Sequence, residues 1–213
     1  MKSMREIFRS YAVLDAEGRH TNGTDKQSNH NYGDAYEELF FSYEYREVRV
    51  TDLGTEMLSH RISKRDLVKL MMEVGVADGS CLLAWRDIFP NALCVGMDIH
   101  PADRLIGRMG RGVDRIEFHS GNQQAQVDCE RTVNGRKFDF IVEDATHRLE
   151  DTLQTLLYLW PSVKPGGLYV VEEFANIGQL WPNVVQLWPN AELIETIGPF
   201  GGIEPLVVFR KPL

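Results

Sequence analysis

No stretch of this 213-residue chain is apolar for long enough to cross a bilayer, which takes about 20 consecutive apolar residues. No membrane partner is therefore expected. Positive charge is also scarce. With 23 Lys and Arg against 31 Asp and Glu, the formal net charge is −8, which repels phosphate backbones and argues against a nucleic-acid partner. Cysteine is rarer still. Cys81, Cys94 and Cys129 are odd in number and widely spaced, so they form neither a disulfide framework nor a thiolate zinc site. Cys81 and Cys94 lie in apolar elements and read as buried free thiols. The charged start, Met1-Lys2-Ser3-Met4-Arg5-Glu6, is not followed by the apolar core of a signal peptide, and the expected compartment is the cytoplasm.

What is present suits one compact domain. Apolar residues make up 43% of the chain, enough for a substantial core at this length. Residues 1–55, with a short helix, a loop over 21–34 and a helix from Tyr36 to Tyr45, read as an N-terminal cap on the substrate site. From residue 56 strands and helices alternate. Strands are expected at 69–74, 93–98, 115–120, 138–142 and 168–171, with helices at 80–89, 101–109, 124–133 and 149–160. A final pair, 191–197 and 205–210, reads as antiparallel. The pattern predicts an α/β, doubly wound, Rossmann-like fold with a mainly parallel seven-stranded sheet and an antiparallel C-terminal strand. The near-repeat Leu180-Trp181-Pro182-Asn183 and Leu187-Trp188-Pro189-Asn190 reads either as local packing or as an apolar lid.

The most informative segment is Glu73-Val74-Gly75-Val76-Ala77-Asp78-Gly79-Ser80. An apolar strand runs into a glycine turn and then a helix, and Asp98 follows about 20 residues later at the end of a second strand. Glycine lets backbone approach a ligand closely, and the later acid suits a ribose diol. A dinucleotide fingerprint needs three glycines, yet Ala77 and Ser80 stand at its second and third positions. A nicotinamide oxidoreductase is therefore disfavoured. The E-x-G-x-x-x-G pattern instead resembles motif I of the class I S-adenosylmethionine (SAM) methyltransferases.

Two later strands, Phe138–Val142 and Leu168–Val171, each run into paired acids: Glu143-Asp144 and Glu172-Glu173. In a parallel sheet these ends share one rim. Clustered carboxylates call for a cation between them, and an all-oxygen set suits Mg²⁺ or Mn²⁺. Asp144, Glu172 and Glu173 are the candidate ligands. His147, three residues after Asp144, is the candidate general base.

These segments resemble the metal-dependent sugar O-methyltransferases of natural-product biosynthesis, of the mycinamicin and tylosin type. The resemblance covers residues 23–175 and includes Gly23-Thr24-Asp25-Lys26, His30-Asn31-Tyr32 and Tyr36. It implies SAM around Glu73, Gly75, Ala77, Gly79, Ser80, Asp98, Asn122 and Gln123. A metal would sit on Asp144, Glu172 and Glu173, and His147 and Asp144 would be catalytic. A sugar or glycoside would lie near Thr24, Asp25, Lys26, His30 and Tyr32, with a homo-oligomer possible. The chain departs from the family at Glu173 and Asn122, each for Asp, at Ala145-Thr146 for Gly-Ser, and at Ala77 for Gly. The alternatives are a cephalosporin-hydroxylase-like metal-dependent enzyme and a non-catalytic SAM-binding subunit. An iron oxygenase would want two histidines and a carboxylate, and only His147 lies in the acid cluster by sequence.

Overall fold

The computed structural model describes all residues except 1, 15, 17–19, 28–29, 42, 48–58, 101–112, 174–176 and 198–202. The helix expected at 101–109 lies outside the described residues. The central sheet contains β5 (Leu70–Val74), β6 (Leu93–Asp98), β7 (Ile116–Ser120), β8 (Phe138–Glu143), β9 (Val163–Glu172), β10 (Ala191–Ile197) and β11 (Ile203–Arg210). Its order is β10-β11-β9-β8-β5-β6-β7. The five strands from β5 to β9 are parallel to one another, and β11 lies antiparallel to both β9 and β10. This is the α/β fold expected, with seven strands. Because β5 leads to β6 on one side and pairs with β8 on the other, a crevice opens at its C-terminal end, the switch point where such sheets bind ligands.

Each face of the sheet carries its own core. On one side lie α1 (Met4–Tyr11), α2 (Tyr32–Phe41) and α4 (Ser80–Ile88). Trp85 is the hub there. It is fully buried and meets Phe8 and Tyr36 edge-on at 4.9 Å each, with Phe89 stacked at 5.7 Å. The N-terminal helices are thus seated on the sheet by aromatic packing. On the other side lie α5 (Gln126–Val133), α6 (Leu149–Leu159) and α7 (Ile177–Leu187). Of the residues that recur at helical spacing along and just after α6, Leu156 is buried and Leu149, Leu153 and Trp160 pack against this core, whereas Leu157 is exposed.

The N-terminal region departs from the sequence reading. A two-stranded hairpin joins β1 (Ala12–Leu14) to β2 (His20–Gly23), where a helix end and a loop were expected. The second helix starts at Tyr32 and ends at Phe41. Tyr43 onward forms β3 (Tyr43–Glu47), paired antiparallel with β4 (Ser59–Ser63), which leads into the short α3 (Lys64–Leu67). Aromatic residues serve a helix face and a strand equally well, so the period of so short a run misplaces the boundary. The strand expected at 168–171 is longer, since pairing with β8 begins at Val163. The first Leu-Trp-Pro-Asn copy lies inside α7, with Pro182 in the helix, and the second ends it. Trp188 packs edge-on against Phe209 at 5.4 Å, which is local packing.

Candidate active site

A cavity of about 270 Å³ opens at the C-terminal ends of β5, β6 and β7. Gly75, Ala77, Asp98, Asn122 and Gln123 line it, together with Asp144, Ala145 and Thr146. Five of the eight residues expected around SAM thus share one pocket. The other three stand behind it. Glu73 is fully buried on the core side of β5. Gly79, at φ 83°, caps α4, and Ser80 donates its N–H to Asp78 at 2.9 Å.

The turn is built by mutual support. Gly75, at φ 87°, donates to the Met97 carbonyl at 2.8 Å. A Cβ there would stand 2.1 Å from the Asp144 carbonyl oxygen, so glycine is required for two strand ends to meet. Asp98 accepts from the Ala77 N–H and the His100 N–H, both at 2.9 Å, which fixes its carboxylate at the pocket wall. Asn122 Oδ1 accepts from the Gln124 N–H at 3.0 Å, and Gln123 Nε2 donates to the buried Glu143 at 3.2 Å. Burial pushes the Glu143 carboxyl up to about 7.

The acids at the ends of β8 and β9 divide into two groups. The inner group surrounds Lys26. Its Nζ lies 2.7 Å from Glu172, 2.9 Å from Asp144 and 3.0 Å from Glu73, and its side chain is fully buried. Glu172 also accepts from the Tyr36 hydroxyl. One ammonium cannot balance three carboxylates in a desolvated space. Burial drives the Glu73 and Glu172 carboxyls upward, Glu172 well above the usual range, despite Lys26. Burial opposes ionisation of Asp144 as well, but Lys26 and His147 outweigh it and hold Asp144 below its ordinary value. Burial thus favours the neutral form of the two inner glutamates, whereas Lys26 and His147 favour the ionised form of Asp144.

The outer group faces the rim. The His147 ring spans two carboxylates, with Nε2 3.0 Å from Asp144 and Nδ1 2.9 Å from Glu173. Glu173 reaches on to His30 at 2.9 Å, and His30 lies 3.2 Å from Asp25. The bonds to Asp144 and Glu173 raise His147 to about 10. Burial opposes the charge on His30, but Asp25 and Glu173 outweigh it and also raise it to about 10. Bonds from both imidazoles pull Glu173 far below its ordinary value. His147 and Glu173 hold left-handed backbone, φ 56° and 52°, as does Ala77 at 45°. Such conformations cost non-glycine residues about 1–3 kcal/mol each and gather at functional sites.

Several expected placements change. Thr24, Lys26 and Tyr32 are buried rather than open at the rim. Lys26 instead supplies the positive charge of the inner acids. Of the segment's expected substrate contacts only Asp25 and His30 keep partial exposure. Glu172 and Glu173 do not converge. Glu172 is still paired in β9 with Leu206 and points into the core, whereas Glu173 has left the strand and turns to the rim. Asp144 and Glu173, facing each other across His147, offer the hard oxygen donors that a divalent cation requires, while both Glu172 oxygens are taken by Lys26 and Tyr36. His30 also stands beside the acids, which its distance in sequence concealed. Ligand atoms of Asp25, His30 and Glu173 lie within 4.8 Å of one another. Among the described residues no helix is long and apolar enough to cross a membrane.

Residues 72–174 match the family model of a methyltransferase domain. The chain is 27% identical over 160 residues to 8-demethyl-8-alpha-L-rhamnosyl tetracenomycin-C 2'-O-methyltransferase of Streptomyces olivaceus, covering 75% of this chain and 37% of that protein. It is 27% identical over 148 residues to mycinamicin VI 2''-O-methyltransferase of Micromonospora griseorubida, covering 69% and 32%. The chain therefore spans about a third of the length of these relatives. Among solved structures it is similar in fold to a methyltransferase from the mycinamycin biosynthetic pathway in complex with Mg, SAH and mycinamycin VI. The TM-score is 0.53 and the identity 20%, covering 68% of this chain and 44% of that one. The chain is thus similar to methyltransferases through residues 72–174, and its fold is that of the class I methyltransferases.

Proposed function

We propose that this protein is a SAM-dependent, Mg²⁺-dependent O-methyltransferase acting on a hydroxyl of a sugar or glycosylated small molecule. The observation that carries this reading is the double use of Asp144: it lines the cofactor-sized cavity and also bonds His147 at the rim. A methyl donor in the cavity would thus lie beside the group that handles the substrate proton. The sugar substrate rests on the relatives, which are named for methylating rhamnosyl and mycinamicin hydroxyls.

Gly75, Ala77 and Asp98 would hold SAM, which when bound would supply an electrophilic methyl group to the substrate oxygen. Asp144 and Glu173 would hold a divalent cation, which would supply Lewis acidity toward the substrate oxygen. The residues do the rest. Gly75 and Asp98 fix the donor. Ala145 and Thr146 shape the wall between donor and acceptor. Alignment of oxygen, methyl and sulfur supplies much of the rate. His147 receives the hydroxyl proton, which it does as a neutral imidazole. Held by two carboxylates it is charged, so it becomes a base only when Asp144 and Glu173 are engaged elsewhere. The N-terminal segment 1–55, anchored through Lys26 and Tyr36, serves as a cap that presents Asp25 and His30 to the acceptor side.

A thermal-shift titration with SAM, S-adenosylhomocysteine and NADH, each with Mg²⁺ or with chelator, tests the reading. A melting-temperature rise with the SAM pair but not NADH, increased by Mg²⁺, is expected. No response to either SAM ligand in folded protein would sink it in favour of the non-catalytic or hydroxylase-like alternatives.

A further inference from the structure

The rim carries a second set of ligand atoms, different in chemistry from the Asp144–Glu173 pair. His30 Nε2 lies 2.9 Å from Glu173 Oε1 and 3.2 Å from Asp25 Oδ2, and the three donors stand within 4.8 Å of one another. Donors that sit about 2.1 Å from a common ion, at right angles to each other, are about 3.0 Å apart. Both distances from the imidazole therefore match the edges of an octahedral site. In the ion-free chain a proton on the imidazole holds the same groups at the same spacing.

The nitrogen donor is held in place from two sides. The His30 ring stacks on the buried Tyr32 ring at 5.0 Å and 14°, and the His30 carbonyl accepts from the Thr196 hydroxyl of β10 at 2.8 Å. A fixed imidazole is what a metal site requires of its surroundings. The two carboxylates are the more open partners, with side-chain exposures of 39% for Asp25 and 28% for Glu173 against 13% for His30, which leaves solvent-facing positions for water. Glu173 presents a different oxygen to each histidine: Oε1 faces His30, and Oε2 faces His147 at 2.9 Å. An ion on Oε1 thus leaves the bond to His147 in place.

We propose that Asp25, His30 and Glu173 form a second cation site, which takes a divalent transition-metal ion in preference to Mg²⁺ and clasps the N-terminal segment to the end of β9. Two carboxylates balance the charge of a divalent ion. The imidazole nitrogen supplies the preference, because Mg²⁺ is a hard ion that keeps to oxygen, whereas transition ions accept nitrogen and oxygen together. As the ion takes the Nε2 lone pair, the imidazole proton leaves to water. The inference rests on these three side chains and holds whatever fills the cavity.

The test is titration of the ligand-free chain with Mn²⁺, followed by calorimetry and by electron spin-echo spectroscopy, which detects nitrogen bonded to the ion. Bound Mn²⁺ should show imidazole nitrogen, and excess Mg²⁺ should not displace it. His30→Ala should abolish the nitrogen signal and weaken Mn²⁺ binding by at least about 10-fold, the lower end of what even an outer partner of a metal ligand contributes. Asp25→Asn should weaken Mn²⁺ as well, and at its part-exposed position it keeps the test decisive if His30→Ala does not fold. Asp144→Asn, which removes the other proposed cation site, should leave the nitrogen signal intact. No Mn²⁺ binding by folded wild type, or displacement by excess Mg²⁺, would overturn the proposal. So would a nitrogen signal that survives His30→Ala or vanishes in Asp144→Asn, since the ion would then sit beside His147. S-adenosylhomocysteine binding, measured separately, decides the SAM reading without bearing on this site.

Discussion

Lys26 and Asp144 stand 118 residues apart in sequence and 2.9 Å apart in space, the ammonium fully buried against the carboxylate. This pair joins the N-terminal segment to the reaction rim. Asp144 Oδ2 faces Lys26, and Oδ1 faces His147. A single carboxylate thus links the inner acid cluster around Lys26 to the outer one around His147.

Removing that ammonium should be costly. Lys26→Met leaves the buried Glu73 and Glu172 and the part-exposed Asp144 without their cation, and breaking a buried pair in this way costs about 3–5 kcal/mol. Urea unfolding is the measurement, with a clear fall in midpoint expected. A midpoint within error of the wild type would show that the ammonium contributes little to folding.

In metal-free protein His147 and His30 should remain charged well above neutrality. Both are raised from 6.5 to about 10, so their contribution to stability is complete below about 6.5 and is lost as pH rises through about 10. Imidazole NMR shifts followed from pH 5 to 10 would show it. A midpoint near 6.5 for His147 would mean that the two carboxylates do not hold it in solution.

Asp144→Asn separates metal from cofactor. Calorimetry should still detect S-adenosylhomocysteine in the cavity while Mg²⁺ binding disappears, because the amide keeps the shape but not the charge. Retained Mg²⁺ affinity would remove Asp144 from the metal set.

Two backbone positions should respond in opposite directions. Gly75→Ala places a Cβ 2.1 Å from the Asp144 carbonyl oxygen at φ 87°, and both stability and S-adenosylhomocysteine affinity should fall sharply. Ala77→Gly relieves a left-handed alanine at φ 45°. A gain of about 1 kcal/mol, a rise of about 2–4 °C in melting temperature, is expected. A fall on Ala77→Gly would show that chain entropy outweighs the strain.

The sheet was legible because its strands are continuous apolar runs closed by turn residues, and buried parallel strands carry that signature. Gly75, Asp98 and the acids after β8 and β9 were legible for a related reason: the ends of parallel strands share one rim whatever the details of packing. The N-terminal hairpin and the β3–β4 ribbon were not. They are short, and their aromatic and polar residues fit helix, strand and loop alike.

Residue order alone thus determined the fold class, the cofactor crevice and the acids and histidine that surround it, because strand and helix periods and glycine turns are local properties. Only the tertiary structure decided which acids face which way. Glu172 remains in its strand and points to Lys26, whereas one left-handed residue later Glu173 faces His147 and His30. Only the folded chain, too, turned Lys26 from an expected substrate contact into the buried counter-ion of three acids. A side chain's charge can be read from sequence, but its partner is set by long-range packing, and no local pattern records it.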